Sequence, residues 1–125
     1  MLERIFTENA PKAIGPYSQA TIAGNMVYTS GQIPINPLTG NVVEGGAAEQ
    51  SEQAMKNLKA VLEAAGSSME KVIKTTIFIK NMEQFSIINE VYGKYFTGSY
   101  PSRTTVEVAR LPKDVLIEIE AIAVI

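Results

Sequence analysis

The chain has 125 residues, 46% of them hydrophobic, with 11 basic and 13 acidic side chains and a formal net charge of -2. That length and apolar share fit one domain over residues 1–125 with a proper core, and they exclude a disordered chain. There is no histidine and no cysteine, which removes Ser-His-Asp and Cys-His nucleophiles, disulfides, and imidazole or thiolate metal sites.

In chain order, Ser18 to Ile22 and Met26 to Ser30 read as two strands joined by a hairpin at Gly24-Asn25. Ile33 to Gly46 holds Pro34, Pro37, Gly40, Gly45 and Gly46 and reads as a loop. Ala47 to Ala65 is the clearest helix, with Ala47, Ala54, Met55, Leu58, Val61 and Leu62 on one face. Glu49 and Glu52 favour its N-terminal end and Gly66 its stop. Val72 to Ile79 reads as a strand with Ile73, Ile77 and Ile79 on one side and Lys74 and Thr76 on the other. Asn81 has the character of an N-cap, and Gln84 completes a capping-box spacing. Met82 to Phe96 follows as the second helix, with Phe85, Ile88, Tyr92, Tyr95 and Phe96 as expected core contacts, and Gly98 ends it. Ser102 to Val108 and Val115 to Val124 are the last strands, joined through Leu111-Pro112-Lys113-Asp114.

The order strand, strand, helix, strand, helix, strand, strand predicts an α+β fold with two helices on one face of a sheet. From Val115 to Ile125 both alternating sets of positions are mostly apolar, so the final strand is expected to be covered on both faces. Two helices cover only one, and a second subunit is expected over the other. Met1 to Pro11 carries Glu3, Arg4 and Glu8 and lacks the apolar stretch of a signal peptide. No segment is apolar for long enough to span a bilayer. A cytoplasmic protein is expected, with no membrane partner. The basic residues are scattered, so nucleic acid is not the expected partner.

Chemistry must then come from carboxylates, Arg, Lys, Tyr, hydroxyls, backbone groups and water. Glu118 and Glu120 interrupt the apolar final strand. A carboxylate there loses hydration, which raises its pKa and suits it to proton transfer near neutrality. Arg103 stands at the start of the preceding strand, sharing a face with Thr105, Glu107 and Ala109. Arginine grips a planar carboxylate with two parallel hydrogen bonds. A plain ion pair from Arg103 to Glu118 or Glu120 explains the same spacing, and both readings stay open at this point. Tyr17, in the turn Gly15-Pro16-Tyr17-Ser18, Ser30 and Gly31, at the end of a strand, and Asn89, on the second helix, are weaker candidates. Ser30 without a base is a poor nucleophile, and Gly31 would let its backbone N–H approach an anion.

Several motifs in sequence resemble the RidA family, also called YjgF. They are Gly15-Pro16-Tyr17-Ser18-Gln19-Ala20, Thr29-Ser30-Gly31-Gln32-Ile33-Pro34, Tyr100-Pro101-Ser102-Arg103, Val106-Glu107-Val108-Ala109, Leu111-Pro112-Lys113-Asp114 and Ile117-Glu118-Ile119-Glu120-Ala121-Ile122-Ala123. The likeness runs from about Glu8 to Val124 and is nearest the reactive intermediate deaminases. It implies a chorismate-mutase-like α+β fold, a homotrimer whose sheets form a central barrel, and active sites in the clefts between subunits. It implies hydrolysis of 2-imino acids, such as 2-iminobutanoate and 2-iminopropanoate, to 2-oxo acids and ammonia. Those imines arise from enamines released by pyridoxal-phosphate-dependent dehydratases. The family enzyme uses no cofactor and no metal.

By the same resemblance Arg103 would bind the substrate carboxylate, and Glu118 would position or activate the attacking water. The Gly31 N–H beside Ser30 would help hold the carboxylate. Tyr17 and Asn89 would line the cleft, and the Thr105 carbonyl would lie near the substrate nitrogen. Thr105 departs from the many relatives that carry cysteine there, so no thiol is available for modification. Two other activities are attached to such chains: an endoribonuclease or translation inhibitor, and a non-enzymatic small-ligand-binding protein using the same cleft. The acidic balance and missing histidine weigh against the first, and the presence of both Arg103 and Glu118 weighs against the second.

Overall fold

Alternation along the final strand sets the layers of the fold. The structure is a computed structural model that describes residues 2–125. Its strands are β1 (Leu2–Ile5), β2 (Ala20–Ala23), β3 (Met26–Thr29), β4 (Val72–Ile79), β5 (Ser102–Glu107) and β6 (Ile117–Val124). Its helices are α1 (Ala47–Ala64) and α2 (Phe85–Gly93). In β6, Ile117, Ile119, Ala121 and Ala123 are buried, while Glu118, Glu120, Ile122 and Val124 are half-buried. The buried set packs with Met55, Leu58, Val61 and Leu62 of α1 and Ile88 of α2 in the core. Burial of such side chains is worth about 1.5–3 kcal/mol each.

The sheet has six strands in the order β1-β2-β3-β6-β4-β5. β4 and β5 run parallel, and every other neighbouring pair is antiparallel. Both helices lie on one face, as the α+β expectation required. The other face displays Tyr28 and Val106, both exposed, beside the half-buried residues of β6. A single chain leaves that face open.

The structure departs from the sequence reading in four places. β1 lies in a segment read only for what it lacked. It pairs with β2 and contributes Ile5 alone to the core, too little alternation to announce a strand. A bulge between Val72 and Lys74 resets the alternation of β4. Val72 is buried and Ile73 points outward at 44% exposure, while Thr75 keeps to the side of Ile77 and Ile79 and has no exposed surface. At the second helix, Asn81 Oδ1 accepts from Glu83 N at 3.0 Å and caps a short 3-10 turn, Met82–Gln84. The Gln84 half of the box is missing. The α-helix proper starts at Phe85 and ends at Gly93, where i→i−3 bonds from Lys94, Tyr95 and Phe96 tighten the last turn. Between β5 and β6, Pro112–Asp114 is another 3-10 turn, which delays β6 to Ile117.

α1 matches its expected span within a residue. Glu49 Oε1 accepts from the N–H of Gly46 at 2.8 Å, and Gly66 takes the left-handed conformation (φ 83°) just past its end. The loop before α1 is fastened from beneath. Asn57 is buried, and its amide donates to the carbonyls of Ile33 and Ile35, each at 2.9 Å.

Candidate active site

The expected site residues fall into two groups. The first gathers where β3 runs out beside β6. Gln32 N donates to Ile119 O at 2.7 Å and Ile119 N to Gln32 O at 3.1 Å, so residues 31 and 32 lie against β6. The ladder places Glu118 on the half-buried face of that strand. Gly31 is pressed against it: a methyl group at Gly31 would fall 2.7 Å from Glu118 Cδ and 2.9 Å from Cγ, and closer still to Oε2. Glycine is needed here for space. Burial pushes the Glu118 carboxyl above its ordinary value of 4.5, and the neighbouring Glu120 pushes it the same way.

Ser30 is engaged. Its Oγ donates to Ser18 O at 2.6 Å and its N–H to Gln19 O at 2.9 Å, which ties the Tyr17 turn to the end of β3. It orders the backbone beside Gly31 and has no base for nucleophilic work. Tyr17 is 48% exposed. Tyr17 and Gly31 line one cavity of about 250 Å³, together with Gln32, Pro112 and Lys113. Lys113 and Asp114 both have φ of 56°, an unusual conformation for side chains other than glycine.

The second group sits at the outer edge of the sheet, under α2. Arg103 Nη1 donates to Asn89 Oδ1 at 2.7 Å. Its guanidinium carbon lies 5.1 Å from the Tyr92 ring centre and 5.4 Å from that of Phe85, within cation–π range. Asn89 and Arg103 line a depression of about 420 Å³ with Tyr92, Gly93, Tyr100 and Pro101. Thr105 follows on the same face of β5, and its Oγ1 is buried with no hydrogen-bond partner.

Within one chain the groups do not meet. Arg103 stands level with Thr75 of β4, on the helix-bearing face, whereas Glu118 stands level with Phe78 on the open face. Three residues along β4 and two strand spacings separate their backbones by about 14 Å, with the side chains on opposite faces. The plain ion pair from Arg103 to Glu118 or Glu120 is therefore ruled out within one chain. Among the described residues the ion pair observed joins Arg110 and Asp114, at 2.8 Å. No three acidic side chains among the described residues converge as a metal site requires.

Sequence reasoning treated Phe85 and Tyr92 as plain core contacts. They share a helix stripe with Asn89, at spacings of four and three, and that stripe also packs the core. Spacing alone could not separate the two uses. Thr75, on the side of Ile77 and Ile79, was passed over because nothing local shows that its hydroxyl meets Tyr92.

Comparison with known proteins adds to this geometry. The sequence model described as endoribonuclease L-PSP matches residues 7–125. A RutC family protein of Pyrococcus horikoshii is 60% identical over 98% of each chain. The 2-iminobutanoate/2-iminopropanoate deaminase of Escherichia coli K12 is 54% identical over 99% of this chain and 98% of that one. The crystal structure of E. coli TdcF with bound serine superposes with a TM-score of 0.94 at 48% identity, covering 98% of both chains.

Proposed function

The chain belongs to the endoribonuclease L-PSP family, the YjgF/RidA family, and from that premise we propose how it works as a 2-iminobutanoate/2-iminopropanoate deaminase. The observation that supports the activity most directly is its full-length likeness to the E. coli deaminase. Its substrates are small imines. No helix among the described residues is long and apolar enough to cross a membrane. A cytoplasmic location suits a partner of soluble dehydratases.

The residue roles are our reading. Arg103 holds the substrate carboxylate through the guanidinium donors that Asn89 leaves free. The Gly31 N–H takes another carboxylate oxygen. Glu118 accepts a proton from water as the oxygen adds to the C=N carbon. Glu118 returns that proton to the imine nitrogen, giving a carbinolamine; its hydroxyl proton passes to nitrogen by the same route, and the C–N bond breaks to release ammonia and the 2-oxo acid. The imine is already electrophilic, so orientation and one well-placed proton acceptor suffice. The Thr105 carbonyl serves the departing nitrogen, and Tyr17 closes the cleft.

Opposite faces of one sheet cannot serve one small molecule. A complete site therefore joins Arg103, Asn89 and Thr105 of one copy to Tyr17, Ser30, Gly31 and Glu118 of a neighbour. A homotrimer with the open faces turned inward as a barrel meets that need. It would also bury Tyr28, Ile122 and Val106. Formation of 2-oxobutanoate from enzymatically generated 2-aminocrotonate tests the activity. Acceleration by this protein, lost in Arg103→Ala with the oligomer intact, is expected. No acceleration by the wild type would sink the reading, and RNA cleavage lost in the same variant would redirect it. Mixing inactive Arg103→Ala and Glu118→Gln chains should restore part of the activity if sites are shared between copies.

A further inference from the structure

We propose that Tyr92, with its hydroxyl fastened by Thr75, positions the Arg103 guanidinium for its ligand. The inference deepens the proposed function and rests on Arg103 gripping a carboxylate. An arginine on an edge strand has a long, rotamer-rich side chain and pays for every productive alignment in lost freedom. Arg103 is exposed and lies outside the observed ion pair, so no carboxylate of its own chain holds it there. Its recorded supports are the Asn89 bond and the rings of Tyr92 and Phe85.

Tyr92 is a platform because it cannot move. It is 4% exposed, and its hydroxyl is hydrogen-bonded to Thr75 Oγ1 at 2.8 Å. Thr75 has no exposed surface and is paired with Arg103 itself in the β4–β5 register. The chain Thr75, Tyr92, Arg103 thus closes back on the strand that carries the arginine. Packing alone does not require two buried hydroxyls, since phenylalanine and valine fill the same volumes without polar groups to satisfy. The polar pair fixes the ring plane, and the ring face fixes the cation. Burial raises the Tyr92 pKa, against the opposing pull of Thr75 and Arg103, so the ring meets the guanidinium as a neutral phenol. Asn89 consumes one guanidinium donor and leaves the rest of the fork for a planar anion.

The test compares Tyr92→Leu, Tyr92→Phe and Thr75→Val with wild type in three readouts. The first is KM and kcat in the coupled imine assay. The second is the dissociation constant of 2-oxobutanoate, measured by titration. The third is the order of the Arg103 Nε–H by nitrogen-15 relaxation. For Tyr92→Leu we expect KM and the 2-oxobutanoate constant to rise together about fivefold, with kcat within twofold. Tyr92→Phe and Thr75→Val should each cost about twofold, because the ring remains but loses its fastening. In an Arg103→Ala background Tyr92→Leu should add nothing. A merely structural role would lower kcat through the folded fraction, leave KM alone and add fully to Arg103→Ala, and either result overturns the proposal. If the wild type neither hydrolyses imines nor binds 2-oxobutanoate, the functional reading fails. The relaxation measurement still decides the positioning: Arg103 as rigid in Tyr92→Leu as in wild type overturns it. Should Tyr92→Leu not fold, the same comparison is made on Tyr92→Phe, where unchanged Arg103 order overturns it.

Discussion

Gly31→Ala is the sharpest available perturbation, because it acts on Glu118 without touching it chemically. The Gly31 backbone lies outside the left-handed region, so alanine is not strained there by its own conformation. Its N–H is retained. The added methyl would fall 2.7 Å from Glu118 Cδ and 2.9 Å from Cγ, well inside van der Waals contact. A small swing of the carboxylate cannot relieve this, since Cγ itself is too close. The strand cannot yield easily either, because residues 32 and 119 are bonded to each other in both directions. Glu118 must therefore leave its rotamer, carrying its carboxylate away by an ångström or more. A misplacement of about 1 Å costs roughly 100-fold in rate, and loss of a general base costs about 10²–10⁴-fold. The expected result is a fall in kcat of about 100-fold with KM within about threefold, at a stability cost of about 1–3 kcal/mol from overpacking. The assay is the coupled release of 2-oxobutanoate, run on Gly31→Ala, Glu118→Gln and the double variant. If displacement of Glu118 is the cause, Glu118→Gln adds little in the Gly31→Ala background. Wild-type kcat in Gly31→Ala, or full additivity in the double variant, would refute the reasoning.

Three further outcomes follow from the same structure. The folded-state pKa of Glu118 is raised by burial and then by Glu120, so folding favours its neutral form. That contribution to stability is present below the ordinary value of 4.5 and is lost as pH rises through the raised value. Glu118→Gln should therefore raise the melting temperature at neutral pH and lose that advantage in acid, and an advantage independent of pH would contradict this. Glu120→Gln should move the acid limb of the activity profile to lower pH, checked by kcat/KM across that limb. Asn57→Ala strips the buried carbonyl of Ile35 and the part-buried carbonyl of Ile33 of their donor. Urea denaturation should show a loss of about 2–4 kcal/mol, and a loss below about 0.5 kcal/mol would show that water or neighbouring groups replace the amide.

Much of this protein is written in local pattern. α1 was legible end to end because its apolar stripe, its acidic first turn and Gly66 all agree on one helix. The layers were legible in β6, where a period of two places Ile117, Ile119, Ala121 and Ala123 against the helices. Glu118 stood out because it interrupts that same strand, and Arg103 because it opens the preceding strand with a group suited to gripping a planar carboxylate. The family motifs then joined the two residues into one site. What failed was also local in cause. β1 has too few core residues to show a period. The bulge after Val72 shifts the alternation at the start of β4 without a signal in its composition, so Ile73 faces outward although Ile77 and Ile79 hold their expected side. α2 lost a turn at each end, where Glu107 takes the Met82 N–H and where Lys94, Tyr95 and Phe96 bond at i→i−3.

The sequence by itself determined which chemical groups are available and where most of the helices and strands run, and it pointed to Arg103 and Glu118 as candidates. Only the tertiary structure decided where those residues stand. The order of strands puts β4 between Arg103 and Glu118, and the pleat sends their side chains to opposite faces of the sheet. Neither fact is local, because strand order and register depend on pairings between residues distant in the chain. The same long-range pairing brings Thr75 beneath Tyr92 and Tyr92 beside Arg103, and presses Gly31 against Glu118.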